Sequence, residues 1–180
     1  MTYVALLRAI NVAGTGTLAM ADLRAFFAHV GFADARTLLQ TGNVVFQAAA
    51  KATSTLETLL ETEALKRLGL TTVFMIRTAQ EWSALIAANP FRAMAKDDPS
   101  HLVLMFLKDE PPAAKQRSLQ ALITGREVVR LRGKLAYVTF PDGIGKSKFT
   151  NAVLERALGT RSTGRNWNTV RKIADLVESL

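Results

Sequence analysis

The sequence predicts an α+β protein of two ferredoxin-like halves, each a mostly antiparallel sheet with helices packed on one face. Residues 1–90 give the order strand, helix, two strands, helix, strand, and residues 101–180 begin again with strand, helix, two strands, helix. Gly42 and Gly133 stand at corresponding hairpin turns, where glycine can adopt a positive φ. Residues 91–100 are predicted to connect the halves.

The elements of the first half follow from apolar spacing and from helix-start signals. A near-continuous apolar run predicts a central first strand, and an i, i+3, i+4, i+7 stripe from Leu23 predicts the first helix. Capping boxes at Ser54–Glu57 and Thr78–Glu81 predict two further helix starts. The predicted strands are Tyr3–Ile10, Arg36–Gln40, Asn43–Gln47 and Thr72–Arg77.

The second half is predicted in the same way. Pro112 opens a helix that ends near Gly125, Ser147 opens another, and Asn166 opens the last. The predicted strands are Leu102–Leu107, Glu127–Leu131 and Leu135–Phe140.

The charge of the 180-residue chain is concentrated in its second half. Residues 1–99 hold nine Lys and Arg against eight Asp and Glu, whereas residues 100–180 hold fourteen against seven. A net charge of +7 in one half suits a polyanionic partner, because neutralising phosphates releases counterions. A solvated surface that keeps the protein soluble explains the same charge.

The amino-acid composition and residue spacing exclude several kinds of functional site. The absence of cysteine excludes thiolate zinc, thiol catalysis and redox dithiols. No His, Asp and Glu spacing predicts a metal site, and no cofactor is predicted. No apolar run approaches the ~18 residues of a membrane span, and residues 3–8 lack the basic front of a secretion signal. We therefore expect a soluble cytoplasmic protein that does not bind membranes.

A glycine-rich segment predicts an anion site in the second half. Gly143-Ile-Gly-Lys-Ser147 resembles the end of a phosphate-binding loop, although Phe140 stands where the full motif needs a glycine. Free N–H groups at a predicted helix start attract anions. The alternative is a glycine turn with a serine cap. The candidate residues are Gly145, Lys146, Ser147 and Lys148.

The second predicted hairpin is basic. Residues 132–140 resemble the RNA-recognition strand motif with one residue inserted, and alternation leaves Tyr137 as the aromatic side chain able to stack a base. Arg130 and Arg132 share one face of the preceding strand. The alternative is a half-buried hairpin with solvated arginines.

Three segments together resemble the bacterial domain-of-unknown-function family 1697 over essentially the whole chain. The chain departs from the family's usual first segment at Ala9 and Ala13. The resemblance implies a two-half architecture and no established activity. The segments are Tyr3-Val-Ala-Leu-Leu-Arg-Ala-Ile-Asn-Val-Ala-Gly14, Thr41-Gly-Asn-Val-Val-Phe46 and Thr163-Gly-Arg-Asn-Trp-Asn-Thr-Val170.

The same segments predict a ligand site. Arg8 is a charge within an apolar strand, which favours a carboxylate or anionic ligand beside it. Arg165 beside a helix start is suited to a phosphate, and Trp167 to a ring. Internal roles are the alternative: a salt bridge for Arg8, a helix cap for Asn166 and packing of the halves for Trp167. The candidates are Arg8, Asn11, Thr41, Asn43, Arg165, Asn166, Trp167 and Asn168.

Three functions follow from these sites. The leading hypothesis is a non-enzymatic protein that binds a phosphate-bearing ligand, possibly nucleic acid, through its basic half. The rival is an enzyme that acts on a small anionic metabolite in a cleft between the halves, with Arg8, Asn11, Asn43 and Arg165. The third is a scaffold that pairs through a sheet edge. The sequence does not predict the oligomeric state.

Overall fold

The computed structural model describes residues 1–8, 10 and 18–180. These residues form two four-stranded antiparallel sheets and seven α-helices. They divide into two compact units, Met1–Ala87 with Lys172–Leu180, and Ala88–Arg171. Within the described ranges, no helix has both the length and the apolar character needed to cross a membrane.

The first half contains four strands and three helices. Its order along the chain is β1, α1, β2, β3, α2, β4, α3, and the short helix α4 follows within the predicted connector. The strands are β1 Thr2–Leu7, β2 Arg36–Leu38, β3 Asn43–Gln47 and β4 Phe74–Thr78. Its helices are α1 Met20–His29, α2 Thr53–Leu68 and α3 Ala79–Ala87, and α4 in the connector is Arg92–Asp97.

The second half repeats this order. The strands are β5 Leu102–Leu107, β6 Val128–Arg132, β7 Leu135–Thr139 and β8 Ser162–Asn166. The helices are α5 Ala113–Leu119, α6 Asn151–Leu158 and α7 Trp167–Glu178.

The two sheets have the same strand order. The first runs β2-β3-β1-β4 and the second β6-β7-β5-β8, and every neighbouring pair is antiparallel. The predicted α+β class with two sheet-containing halves is confirmed. The predicted domain boundaries stay a prediction.

The sequence pattern did not predict strand β8. Its residues Ser162-Thr-Gly-Arg-Asn166 carry no large apolar side chain, so alternation gives no signal. The strand forms because β5 offers an unpaired side, and it pairs from Leu107 with Ser162 to Val103 with Asn166. Each half therefore ends with a strand followed directly by a helix.

An aromatic cluster fills the core of the first half. The Phe46 ring lies 4.8 Å from that of Phe32 and 5.2 Å from that of Phe27, measured between centroids. Tyr3 on β1 stacks on Phe46 at 5.6 Å. The helices α1 and α2 thus pack on the face of β1 that carries Tyr3, Ala5 and Leu7.

One of the two predicted capping boxes is wrong. Helix α2 begins at Thr53, and its cap residue Ala52 makes no side-chain hydrogen bond. The Glu57 carboxylate instead accepts a hydrogen bond from the Ile76 N–H at 2.8 Å, so it serves the neighbouring strand. The second box is confirmed: Thr78 N–H donates to Glu81 at 2.7 Å, and Glu81 N–H donates to the Thr78 hydroxyl at 3.1 Å.

The predicted helix start at Ser147 is also wrong. Helix α6 begins at Asn151, and Thr150 caps it by accepting a hydrogen bond from the Val153 N–H at 3.3 Å. Ser147 follows a single 3₁₀ turn, Ile144–Lys146, and has an extended backbone.

Two strands end at least two residues earlier than predicted. Strand β1 ends at Leu7, so Arg8 lies just beyond it. Strand β2 ends at Leu38 because Leu39 adopts a φ of +60°, which turns the chain out of the extended conformation.

We expect Gly42→Ala to destabilise the protein by roughly 2–4 kcal/mol, since a residue with a side chain is strained at positive φ and overpacks its neighbours. Gly42 has a φ of +72°, and a Cβ there would lie 2.6 Å from Ile10 Cδ1 and 2.9 Å from Leu7 Cβ. Urea unfolding measures the loss.

Gly69→Ala is the matched control. Gly69 has a φ of +60°, but a Cβ there would meet nothing within 4 Å. Only the backbone strain of about 1 kcal/mol applies. Equal losses in the two variants would contradict the packing argument.

Candidate functional site

The β6–β7 hairpin presents cationic groups at one edge of the second sheet. Arg130 pairs with Tyr137 and Arg132 with Leu135, so both arginines lie on the same face of β6. Gly133 makes the turn with a φ of +55°. The side chains of Arg130, Arg132 and Lys134 are exposed.

Tyr137 is not part of this exposed surface. It is 1% exposed, and burial raises the pKa of its hydroxyl above the usual value of 10.0, with the charge of Arg132 acting in the opposite direction. Its neighbours Ala136 and Val138 point into the helix-covered core, as the alternation predicts. The hairpin therefore offers guanidinium and ammonium groups to solvent and no stacking ring.

The loop after β7 lines a cavity of about 200 Å³. The Ser147 hydroxyl donates a hydrogen bond to Glu127 Oε1, and it accepts one from the Phe149 N–H at 3.0 Å. Among the described residues, Glu127 Oε2 is the one buried side-chain polar atom without a hydrogen-bond partner. The lining residues are Thr124, Gly125, Glu127, Asp142, Lys146, Ser147 and Lys148.

This loop differs from a helix-terminal anion site. Because α6 begins four residues after Ser147, Gly145 and Ser147 do not belong to the first turn of that helix, where N–H groups and the dipole attract anions. Two carboxylates, Glu127 and Asp142, also line the cavity and repel anions. The features that remain favourable to an anion are the exposed ammonium groups of Lys146 and Lys148.

An ion pair connects the two ends of the hairpin. Arg126, before β6, lies 2.9 Å from Asp142, after β7, and both side chains are largely exposed. Such a pair contributes about 0–1 kcal/mol in water. It brings the loop of Lys146 to the base of the same hairpin that carries Arg130 and Arg132.

The predicted polar residues of the first half close a turn. Asn43 Nδ2 donates to the Leu38 carbonyl at 2.8 Å and to the Thr41 hydroxyl at 3.1 Å. Arg8 is half-buried, and its backbone N–H donates to the Val73 carbonyl at 3.0 Å. Asn11 lies outside the described residues.

The predicted residues around Arg165 make internal contacts. The Arg165 guanidinium donates to the Thr163 hydroxyl at 2.8 Å and to the Gly164 carbonyl at 2.7 Å, and burial lowers its pKa to about 10. Asn166 caps α7, because its Oδ1 accepts from the Thr169 N–H at 3.0 Å. Trp167 is 5% exposed, and Asn168 is exposed. The ligand-binding role of this group stays a prediction.

The sequence reasoning missed one polar cluster. His101 Nδ1 lies 2.6 Å from Asp98 Oδ2, and the Ser100 hydroxyl donates to Asp98 Oδ1 at 2.9 Å. The spacing of Asp and His at i and i+3 was the available signal. The pair fixes the turn before β5 and orients the ring, leaving Nε2 as the other polar atom of the imidazole.

In the part of the chain that the structure describes, no group of three or more His, Asp and Glu side chains is placed to hold a metal ion.

The fold and the hairpin define an α+β protein with two like sheets and one strongly basic edge. The family model described as "Protein of unknown function (DUF1697)" matches residues 1–137, and the chain belongs to this family. The resemblance predicted from the sequence is thus confirmed. The chain is also similar in fold to the conserved bacterial protein SP0830 from Streptococcus pneumoniae, with 20% identity, a TM-score of 0.76 and 98% of each chain covered. No curated protein matches the chain.

We expect the pKa of the Asp98 carboxyl to lie below its ordinary value of 3.8, because hydrogen bonds from His101 and then Ser100 stabilise the carboxylate. The stability that this carboxylate contributes is present above the unfolded-state pKa and is lost as the pH falls through the lower folded-state pKa. Carboxyl-carbon NMR titration measures the value. In His101→Ala the pKa should rise toward 3.8, and in Ser100→Ala it should rise less. An unchanged value in His101→Ala would contradict the assignment.

Proposed function

We propose that the protein binds phosphate groups of a polyanion, with single-stranded nucleic acid as the candidate ligand, through the basic edge of its second half. We define the basic edge as Arg126, Arg130, Arg132, Lys134, Lys146 and Lys148. The observation that carries the proposal is the exposure of Arg130 and Arg132 on one strand face. Among the residues that the structure describes, neither of these arginines forms an ion pair.

Unpaired surface guanidinium groups are suited to phosphate. A guanidinium can donate two parallel hydrogen bonds to phosphate oxygens, and it is less strongly hydrated than an ammonium group. Arg130 uses one nitrogen to donate to the Val129 carbonyl at 2.9 Å, which holds the side chain along the edge. The remaining donors of the guanidinium are available to a ligand.

The distribution of charge supports a polyanion over a single small anion. The net charge of +7 over residues 100–180 is carried by several exposed side chains and not by one enclosed pocket. Each phosphate contact adds a counterion-release contribution, so affinity comes from many weak contacts along a chain. Because Tyr137 and Trp167 are buried, we propose contacts to the phosphate backbone without base stacking.

The strand order supports a further proposal about the fold. In each half the sheet order β4-β1-β3-β2, or β8-β5-β7-β6, with helices after the first and third strands is the arrangement of a ferredoxin-like unit. We propose this description for both halves.

The rival proposal, an enzyme acting on a small anionic metabolite, has less support. Two residues of its predicted site, Asn43 and Arg165, already make internal hydrogen bonds at 2.7–2.8 Å. A hydrogen bond given to the protein's own backbone is not available to orient a substrate.

Fluorescence anisotropy of labelled single-stranded RNA and DNA tests the proposal. We expect binding that weakens steeply between ~50 and ~200 mM salt, with Arg132→Ala and Lys146→Ala each reducing the slope of log K against log salt by about 0.7, the value of one lost contact to a single strand. The two variants should weaken binding to all sequences alike.

Lys66→Ala is the matched control, because it removes one exposed positive charge from α2 in the first half. It should leave the salt slope unchanged. Absence of binding at the lower salt concentration would contradict the proposal, and so would equal weakening by Lys66→Ala, because the effect would then be one of net charge.

A further inference from the structure

The last strand of the first sheet has its outward N–H groups bonded to side chains. Strand β4 pairs with β1 on one side, which leaves alternate backbone groups pointing away from the sheet. The N–H of Phe74 donates to Glu61 Oε1 at 3.0 Å, and the N–H of Ile76 donates to Glu57 Oε1 at 2.8 Å. Both glutamates lie on α2, the helix that precedes the strand.

An arginine of the same strand bonds the outward carbonyl. The Arg77 guanidinium donates to the Ile76 carbonyl at 2.8 Å. Arg77 is buried, and the carboxylates of Glu57 and Glu81 compensate part of the cost of burying its charge. Both backbone groups of Ile76 are therefore bonded to side chains.

The last strand of the second sheet is bonded in the same way. The N–H of Ser162 donates to Glu155 Oε1 at 2.7 Å, and its carbonyl accepts from Asn151 Nδ2 at 3.5 Å. The Arg165 guanidinium donates to the Gly164 carbonyl at 2.7 Å. Again the carboxylate comes from the helix before the strand and the guanidinium from the strand itself.

The two arginines occupy equivalent positions. Arg77 pairs with Val4 on β1, and Arg165 pairs with Leu104 on β5, and both partners are the third residue of an inner strand. Similar contacts occur at β6, where Val129 N–H donates to Gln120 Oε1 at 3.4 Å and Arg130 donates to the Val129 carbonyl at 2.9 Å. An arrangement that recurs in two halves of dissimilar sequence indicates a shared physical requirement.

That requirement is protection of the strand edge. An unpaired edge presents a row of N–H and C=O groups that can pair with a strand of another molecule. Strands β4 and β8 are each five residues long, which suffices for such pairing. Because every copy of the chain carries the same two edges, like edges of two copies can pair about a two-fold axis.

We propose that side-chain caps on β4 (Glu57, Glu61 and Arg77) and on β8 (Asn151, Glu155 and Arg165) keep these edges from pairing with a second copy of this chain. Each edge strand could therefore pair with a second copy. Carboxylates, an amide and guanidinium groups prevent this because they already bond the outward backbone groups. The proposal does not depend on polyanion binding, since it concerns the opposite edge of the second sheet from β6.

The test opens the edges with Glu61→Ala and Glu155→Ala, singly and together. Loss of the acceptor should speed hydrogen exchange at the Phe74 amide in the first variant and at the Ser162 amide in the second, by about tenfold. Sedimentation velocity should show a mass that rises with concentration above that of the wild type, most strongly in the double variant. Hydrogen exchange and sedimentation are measured on the full chain.

Two controls separate the caps from general effects. Glu63→Ala removes a glutamate of the same helix α2 whose carboxylate pairs with Arg67 of that helix, so the mass of this variant should remain that of the wild type. Glu61→Gln and Glu155→Gln keep an oxygen acceptor and should also behave as the wild type.

The proposal is overturned if the folded Ala variants keep the wild-type mass at every concentration, or if the Gln variants associate as strongly as the Ala variants. If the double variant does not fold, the single variants provide the same comparison, because each leaves the other half intact.

Discussion

Burial of the inner strands on both faces is the constraint on which the rest of the structure depends. Every residue of β5 is buried, as are the last five of β1, so these strands exclude charge. No lysine or arginine occurs in β1, β3, β5 or β7, whereas each edge strand carries at least one arginine. The polar chemistry of the protein is therefore confined to edges and turns.

The sequence predicted the elements whose pattern arises from burial. Strand β5 was predicted to the residue because its apolar run is complete, and the Thr78–Glu81 cap was predicted because its partners are three residues apart. Strand β8 and the role of Glu57 could not be predicted, since both depend on a neighbour distant in the chain. From a single sequence, a glutamate that caps a helix cannot be distinguished from a glutamate that bonds to the edge of a strand.

The sequence was sufficient to predict the positive charge of the candidate site, but it predicted only part of the site's geometry. Alternation correctly placed Arg130 and Arg132 on one face, but exposure of Tyr137 depends on what covers that face, which the strand pattern does not contain. The glycines near Ser147 suggested a helix start, and the actual start is set by Thr150 four residues before Leu154 enters the core. Lys146 and Lys148 remain candidate anion-binding residues only because their side chains are exposed.

The central claim is that the basic edge of the second half is the functional surface. Amide NMR spectra recorded while an unlabelled single-stranded oligonucleotide is added test it most directly, because they locate contacts without substitutions. The account predicts shifts concentrated in residues 126–134 and 146–148, with β4 and β8 unchanged. An absence of shifts, or shifts concentrated in residues 1–87, would contradict it.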